Sequence, residues 1–152
     1  MAIQFLPGQV AVGDPSPIGP TALSGPVKDL QVKVVKLSSA NFTTAGTNTL
    51  VAVLPADATI LGFRHWVKTA LSGNGVTSPT ATIGATSAGT DYTNALAITN
   101  TTGTYAVASS VTGIVQNYQV PLSGDLNIWY KGSCSTGNPT AGEIYLIIDY
   151  VR

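Results

Sequence analysis

Residues 49–69, TLVAVLPADATILGFRHWVKT, leave little freedom in how this chain can fold. Val51 and Val53 alternate with Ala52 and Leu54 ahead of a polar connection at Pro55, Ala56 and Asp57. Beyond it, Leu61, Phe63, His65 and Val67 fall on one face of an extended segment, and Arg64, Trp66 and Lys68 fall on the other. A period of two marks strands with one side packed and one side wet or partnered. Pro55 has no N–H for a ladder, so it ends the first strand and presets a turn. The rest of the chain is expected to form sheet around this pair.

The chain has 152 residues, 44% of them hydrophobic, enough for one good core. Only 9% are charged, against about a quarter in ordinary domains. Such a surface is polar but barely ionised, and charge is depleted at the centres of protein contacts. Zero formal net charge and no basic cluster argue against nucleic acid as a partner, because a phosphate backbone is neutralised by Lys and Arg. No apolar run reaches the length of a membrane span, so no membrane partner is expected. The first residues, MAIQFLPGQV, lack the positive start and apolar stretch of a signal peptide. A single cysteine, Cys134, excludes an internal disulfide. Synthesis in the cytoplasm without Sec export is the expectation.

Two regions differ in composition. In residues 1–28, Pro7, Pro15, Pro17, Pro20 and Pro26 are interleaved with Gly8, Gly13, Gly19 and Gly25. That spacing predicts an extended, irregular arm. Phe5, Leu6, Val10, Val12, Ile18 and Leu23 make it too apolar for a solvated linker, so it is expected to order against a partner. Residues 29–152 read as the body. The alternation in DLQVKVVKL (29–37) makes Leu30, Val32 and Val34 one face of a first strand. Further strands are predicted at 80–86, 114–120, 125–131 and 143–152, the last with Ile144, Leu146, Ile148 and Tyr150 on one face. Residues 94–98 fit one helical turn or a short strand, inside a long polar region at 87–113. No helical periodicity appears. Seven or eight short strands predict an all-β antiparallel sandwich, jelly-roll-like, carrying an extended N-terminal arm.

Catalytic chemistry finds little support. His65 is the only histidine, and between Phe63 and Val67 it reads as a packed or interface residue. Cys134 lies in a Gly/Ser loop without the electropositive setting that a thiolate needs. Asp57, Asp125, Glu143 and Asp149 are scattered singly, with no paired-carboxylate or calcium-loop spacing. No cofactor, metal or catalytic site is expected, and the chain reads as a non-enzyme. Asn41-Phe42-Thr43 and Asn100-Thr101-Thr102 match the glycosylation pattern, which the expected lack of export makes a coincidence. Trp66, Trp129 and Tyr145 lie opposite the most apolar stripes. Outward aromatics stack on sugars or bury in subunit contacts, and their enrichment at interface cores favours the contact.

Several stretches carry a resemblance. VAVLPADATILGFRHWVKTAL, ATIGATSAGTDYTNAL, a GTY step and GDLNIWYKGSCSTGNPTAGEIYLIIDYVR resemble small structural proteins of tailed bacteriophages, over roughly residues 29–152. The shared elements are Leu-Pro-x-x-Ala-Thr (54–59), Ile83-Gly84, and Pro-Thr-Ala-Gly (139–142) feeding an aliphatic-Asp-Tyr-Val strand (148–151). The resemblance is to head decoration, or cement, proteins with a jelly-roll body. It implies binding to the outer surface of the virion head, the major capsid protein as partner, and a homo-oligomer, trimers favoured. The candidate contact residues are Phe5, Val10, Ile18 and Leu23 on the arm, which lies outside the resemblance, and Trp66 and Trp129 on the body. The alternative is a carbohydrate- or receptor-binding module of a phage tail or fibre, using both tryptophans and the 87–113 loop. A tail-tube or neck component is a third reading.

Overall fold

The computed structural model describes residues 29–107 and 122–152. They form nine strands and one 3-10 turn (Ser39–Asn41). The strands are β1 (Leu30–Ser38), β2 (Phe42–Thr43), β3 (Thr47–Leu54), β4 (Thr59–Ser72), β5 (Thr80–Gly84), β6 (Thr93–Ala97), β7 (Tyr105–Val107), β8 (Leu126–Ser133) and β9 (Ala141–Val151). One sheet has the order β1-β9-β4-β7; the other has β2-β8-β5-β6, with β3 also on β8. All pairings are antiparallel except β2 with β8. The fold is an all-β sandwich. Residues 94–98, open between helix and strand in the sequence, are largely β6. The strand expected at 114–120 and the arm at 1–28 lie outside the described residues.

The 49–69 stretch makes a corner between the two sheets. β3 joins β8 while β4 enters the other sheet between β9 and β7. The crossing is pinned from the β8 side. Ala56 N–H donates to the Asp125 carboxylate (2.9 Å), Asp57 N–H donates to Leu122 O (2.9 Å), and Leu122 N–H donates to Ala58 O (2.8 Å). Asp57 takes a left-handed conformation, φ 67°, which Asp tolerates better than most residues.

Between the sheets lies one core. Leu37, Ile60, Phe63, Val67, Ile144, Leu146 and Ile148 from the first sheet meet Ala52, Leu54, Ala81, Ile83, Ile128 and Tyr130 from the second. Burying each large side chain contributes roughly 1.5–3 kcal/mol before chain entropy is subtracted. The predicted inward stripe of β9 is observed, although Tyr150 at its end is only half-buried. In β4 a bulge between Ile60 and Gly62 shifts the alternation. Ile60 and Phe63 therefore both point inward, and Leu61 is left 40% exposed.

β1 has its apolar stripe on the outside. Leu37 and Val35 pair with Ile144 and Leu146, which assigns the odd-numbered residues to the core side. Leu30, Val32 and Val34 consequently point outward, 51–64% exposed. Gln31 and Lys33 are exposed too, although their rows hold the buried Ile60, Phe63 and Ile148, so the first half of the strand lies beside the core at the sheet edge.

Candidate functional site

The outer face of the β1-β9-β4-β7 sheet is built in cross-strand rows. Register places Tyr105 of β7 opposite Trp66 of β4, Trp66 opposite Tyr145 of β9, and Tyr145 opposite Lys36 of β1. The rings stack accordingly. Trp66 lies 5.6 Å from Tyr145 at 22° and 6.3 Å from Tyr105 at 20°. Arg64 and Ile147 form the next row with Val34, and Asp149 pairs with Val32 in the one beyond. Strand pairing makes the aromatic row; no loop is needed to assemble it.

The ionised groups of this face are matched to one another. Arg64 donates to Asp149 through Nε and Nη2, both at 2.7 Å, a bidentate geometry that fixes both side chains. Glu143 sits between Lys36 and Lys68, the latter at 3.0 Å. The hydrogen bond from Lys36, then that from Lys68, holds the Glu143 carboxyl below its usual range. Lys68 Nζ also lies 5.9 Å from the Tyr145 ring centre, within cation–π reach. Beside these pairs the aliphatic stripe Leu30, Val32 and Val34 is continuous with half-buried Ile147 and Val151. A contiguous apolar face rimmed by polar groups is the usual mark of a protein contact.

Trp129 is elsewhere. It points outward from β8 in the second sheet, half-buried, with Leu50 and Gly84 as its cross-strand neighbours. Leu50 and Val53 near it are 45% and 48% exposed. The two tryptophans therefore belong to opposite outer faces, and a single sugar platform using both is ruled out by geometry. Phe5, Val10, Ile18 and Leu23 lie outside the described residues. The alternation located Trp66, Tyr145 and Trp129. It missed Tyr105, whose only signal was the GTY step, and it missed the outward turn of the β1 stripe.

Within the sandwich, His65 is fully buried, its ring 5.6 Å from that of Tyr130. Neither ring nitrogen of His65, nor Tyr130 Oη, nor Thr93 Oγ1, has a hydrogen-bond partner among the described residues. Burial lowers the His65 pKa to about 4 and pushes the Tyr130 phenol well up. The pair bridges β4 and β8, so it joins the two sheets. Cys134, also buried, has its thiol raised by desolvation, the reverse of what a nucleophile needs. Among the described residues no three of His, Cys, Asp and Glu converge as a metal site.

The sequence matches no protein-family model and no curated protein sequence. The fold does have counterparts. The chain is similar to one in the cyanophage Pam1 capsid asymmetric unit, with TM-score 0.56 and 19% identity over 84% of this chain and 87% of that one. It is also similar to one in the capsid of Ralstonia phage GP4, with TM-score 0.52 and 17% identity over 82% of this chain and 84% of that one. At these identities the likeness is one of fold, an all-β sandwich also found in two phage capsids.

Proposed function

We propose that this chain is a structural virion protein, a decoration or cement protein that binds the outside of a phage head and bridges adjacent major capsid subunits. The observation that carries the reading is the Tyr105–Trp66–Tyr145 row with its exposed aliphatic flank, on a sandwich whose counterparts lie in phage capsids. A second outward patch, Trp129 with Leu50 and Val53, faces the other way. Two opposed contact patches are what a bridge between neighbours requires. Each contact is modest, and repetition over a lattice multiplies their effect. A protein that binds only the closed shell stabilises that state. The role is structural rather than catalytic, with the arm at 1–28 adding contacts and homo-oligomers, trimers favoured, setting several arms and faces on the shell at once.

The jelly-roll reading of the sandwich is supported by its pairing order. Leaving aside the two-residue β2, the first strand pairs with the last, β3 with β8, β4 with β7 and β5 with β6, as in a hairpin wrapped on itself.

The test is binding to purified shells that lack this protein, followed by imaging of decorated particles. Trp66→Ala and Trp129→Ala are each expected to weaken binding, and density is expected on the outer surface between capsid subunits. Saturable saccharide binding with no affinity for shells would replace this reading by the tail-module alternative.

A further inference from the structure

The free edges of the two sheets are not alike. Among the described residues β7 has three residues, β6 has five, and β3 is bulged between Leu50 and Ala52. β1 runs nine residues, pairs with β9 without a bulge, and among the described residues has no partner on its other side. An edge of that length with neither bulge nor proline is open to another strand. Its hydrogen-bond phase follows from its end, where Asp29 N–H donates to Arg152 O (2.9 Å) and Arg152 N–H donates to Asp29 O (3.2 Å). Antiparallel ladders alternate. Gln31, Lys33, Val35 and Leu37 thus bond to β9, and Leu30, Val32, Val34 and Lys36 turn their N–H and C=O groups to the free edge.

Charge shows what fits that edge. Of the charged residues in β1, β4 and β9, Lys36, Arg64, Lys68, Glu143 and Asp149 are all held in ion pairs. Lys33 has none among the described residues, and neither has Asp29 just ahead of β1; both are exposed. They lie on one face of the strand, two residues either side of Gln31. A two-fold axis through Gln31, perpendicular to the sheet, therefore sets each Lys33 opposite the other copy's Asp29. On the other face it sets Leu30 opposite Val32, so the two exposed stripes join. Only an axis centred on a residue is in phase, since centring between residues sets a free N–H opposite groups already bound to β9. Centring on Leu30 or Val32 spends Gln31 on one of the two charges. Centring on Lys33 sets lysine against lysine, and on Val34 it sets Lys33 against Val35. Opposite charges across strands stabilise a pairing and like charges oppose it, so the Gln31 register is the one that satisfies both groups.

We infer that two copies of this chain pair antiparallel through the free edge of β1, in register about Gln31. Leu30 and Val32 exchange N–H···O=C bonds with the other copy's Val32 and Leu30, and the β1-β9-β4-β7 sheet continues across the axis into its twin. Main-chain bonds and the joined aliphatic stripe supply the affinity. Exposed ion pairs add little energy; here they choose the register. The contact is isologous. Both outer faces point the same way, so two Tyr105–Trp66–Tyr145 rows share one surface. Pairing needs no shell, so the inference does not rest on the shell-binding reading. A trimer formed through other surfaces would be joined in twos by this edge.

The experiment measures the solution mass of the full chain, without shells, by sedimentation over a range of concentrations. Val32→Pro deletes one outward N–H and leaves the β1–β9 ladder its donors. Lys33→Glu and Asp29→Lys each set like charges across the axis and leave every backbone group in place. Circular dichroism and a urea titration check that the variants fold. The wild-type particle is expected to dissociate to half its mass on dilution. Val32→Pro is expected to weaken that association tenfold or more. Each single charge variant is expected to weaken it several-fold, by a factor that shrinks as salt rises. Combining Lys33→Glu with Asp29→Lys in one chain restores the charge match and is expected to restore the association. A mass that is the same at every concentration and in folded Val32→Pro overturns the pairing, whether the chain's own arm covers the edge or nothing does. A double variant no better than the single ones overturns the Gln31 register. Val32→Pro that weakens binding to shells but not self-association gives the edge to a shell protein and overturns the inference.

Discussion

β4 and β9 each present two faces, and the two obey different rules. Inward, Phe63, His65, Val67, Ile144, Leu146 and Ile148 are at most 1% exposed and include no charged group. Outward, Arg64, Trp66, Lys68, Glu143, Tyr145 and Asp149 are partly wet, and both acids are held by bases of the same sheet. The inner face is completed by folding, apart from a histidine and a phenol that find no polar partner among the described residues. The outer face is completed in its charges but not in its apolar area. Stability is therefore concentrated on one side of these strands, and the proposed shell contact lies on the other.

The largest effect that would test this division comes from Phe63→Ala. Phe63 is fully buried and lies 5.3 Å from the Tyr92 ring; such truncations cost about 3–5 kcal/mol. Urea unfolding should record that loss, while shell affinity per folded molecule stays unchanged. A cost below about 1 kcal/mol, within the range of ordinary surface changes, would break the division.

Acid should act through the same inner face. The His65 pKa is about 4 in the fold, against 6.5 ordinarily, so the fold prefers the neutral ring. Its contribution is complete above pH 6.5, declines as pH falls through that window, and is gone below about 4. The lost stability is roughly 3 kcal/mol. Replacing His65 with Phe removes the titration, so the stability difference between variant and wild type should widen in the variant's favour from pH 7 to pH 4. A constant difference would mean that the ring is solvated or finds a polar partner.

Trp66→Ala probes the outer face. Truncating an interface aromatic typically costs about 2 kcal/mol of binding, so shell affinity should fall more than tenfold. The urea midpoint should move much less than for Phe63→Ala. The reverse ranking would make the aromatic row a support of the fold rather than a contact.

How far the sequence revealed this division varies by strand. β9 was legible because Ile144, Leu146 and Ile148 alternate strictly with Tyr145, Ile147 and Asp149. β1 was legible as a strand but not in its facing, because the Val34-Val35 doublet fits either parity. Only pairing with β9, a contact across more than a hundred residues of chain, chose between them. The bulge at Leu61 and the assignment of β3 and β4 to different sheets depend on long-range partners in the same way. The tryptophans were found by alternation, but which sheet each belongs to is a property of topology. The ion pairs joining Glu143 to Lys36 and Lys68 leave no local spacing to detect.

Those ion pairs give the smallest and most discriminating effect. Lys36 and Lys68 are 62% and 51% exposed, so water competes for the same charges and salt screens them. The Lys36 hydrogen bond lowers the Glu143 pKa; whatever stability this lends is present above the usual carboxylate range and fades as pH falls through the lowered value. Glu143→Gln keeps the side chain's shape and removes the charge. Its urea midpoint should move less than that of Trp66→Ala, and in about 1 M salt, where the screening length is about 3 Å, the difference from wild type should vanish. If Glu143→Gln instead destabilised the protein as much as Phe63→Ala, the outer charges would be supporting the fold, and the two faces of β4 and β9 could no longer be assigned separate tasks.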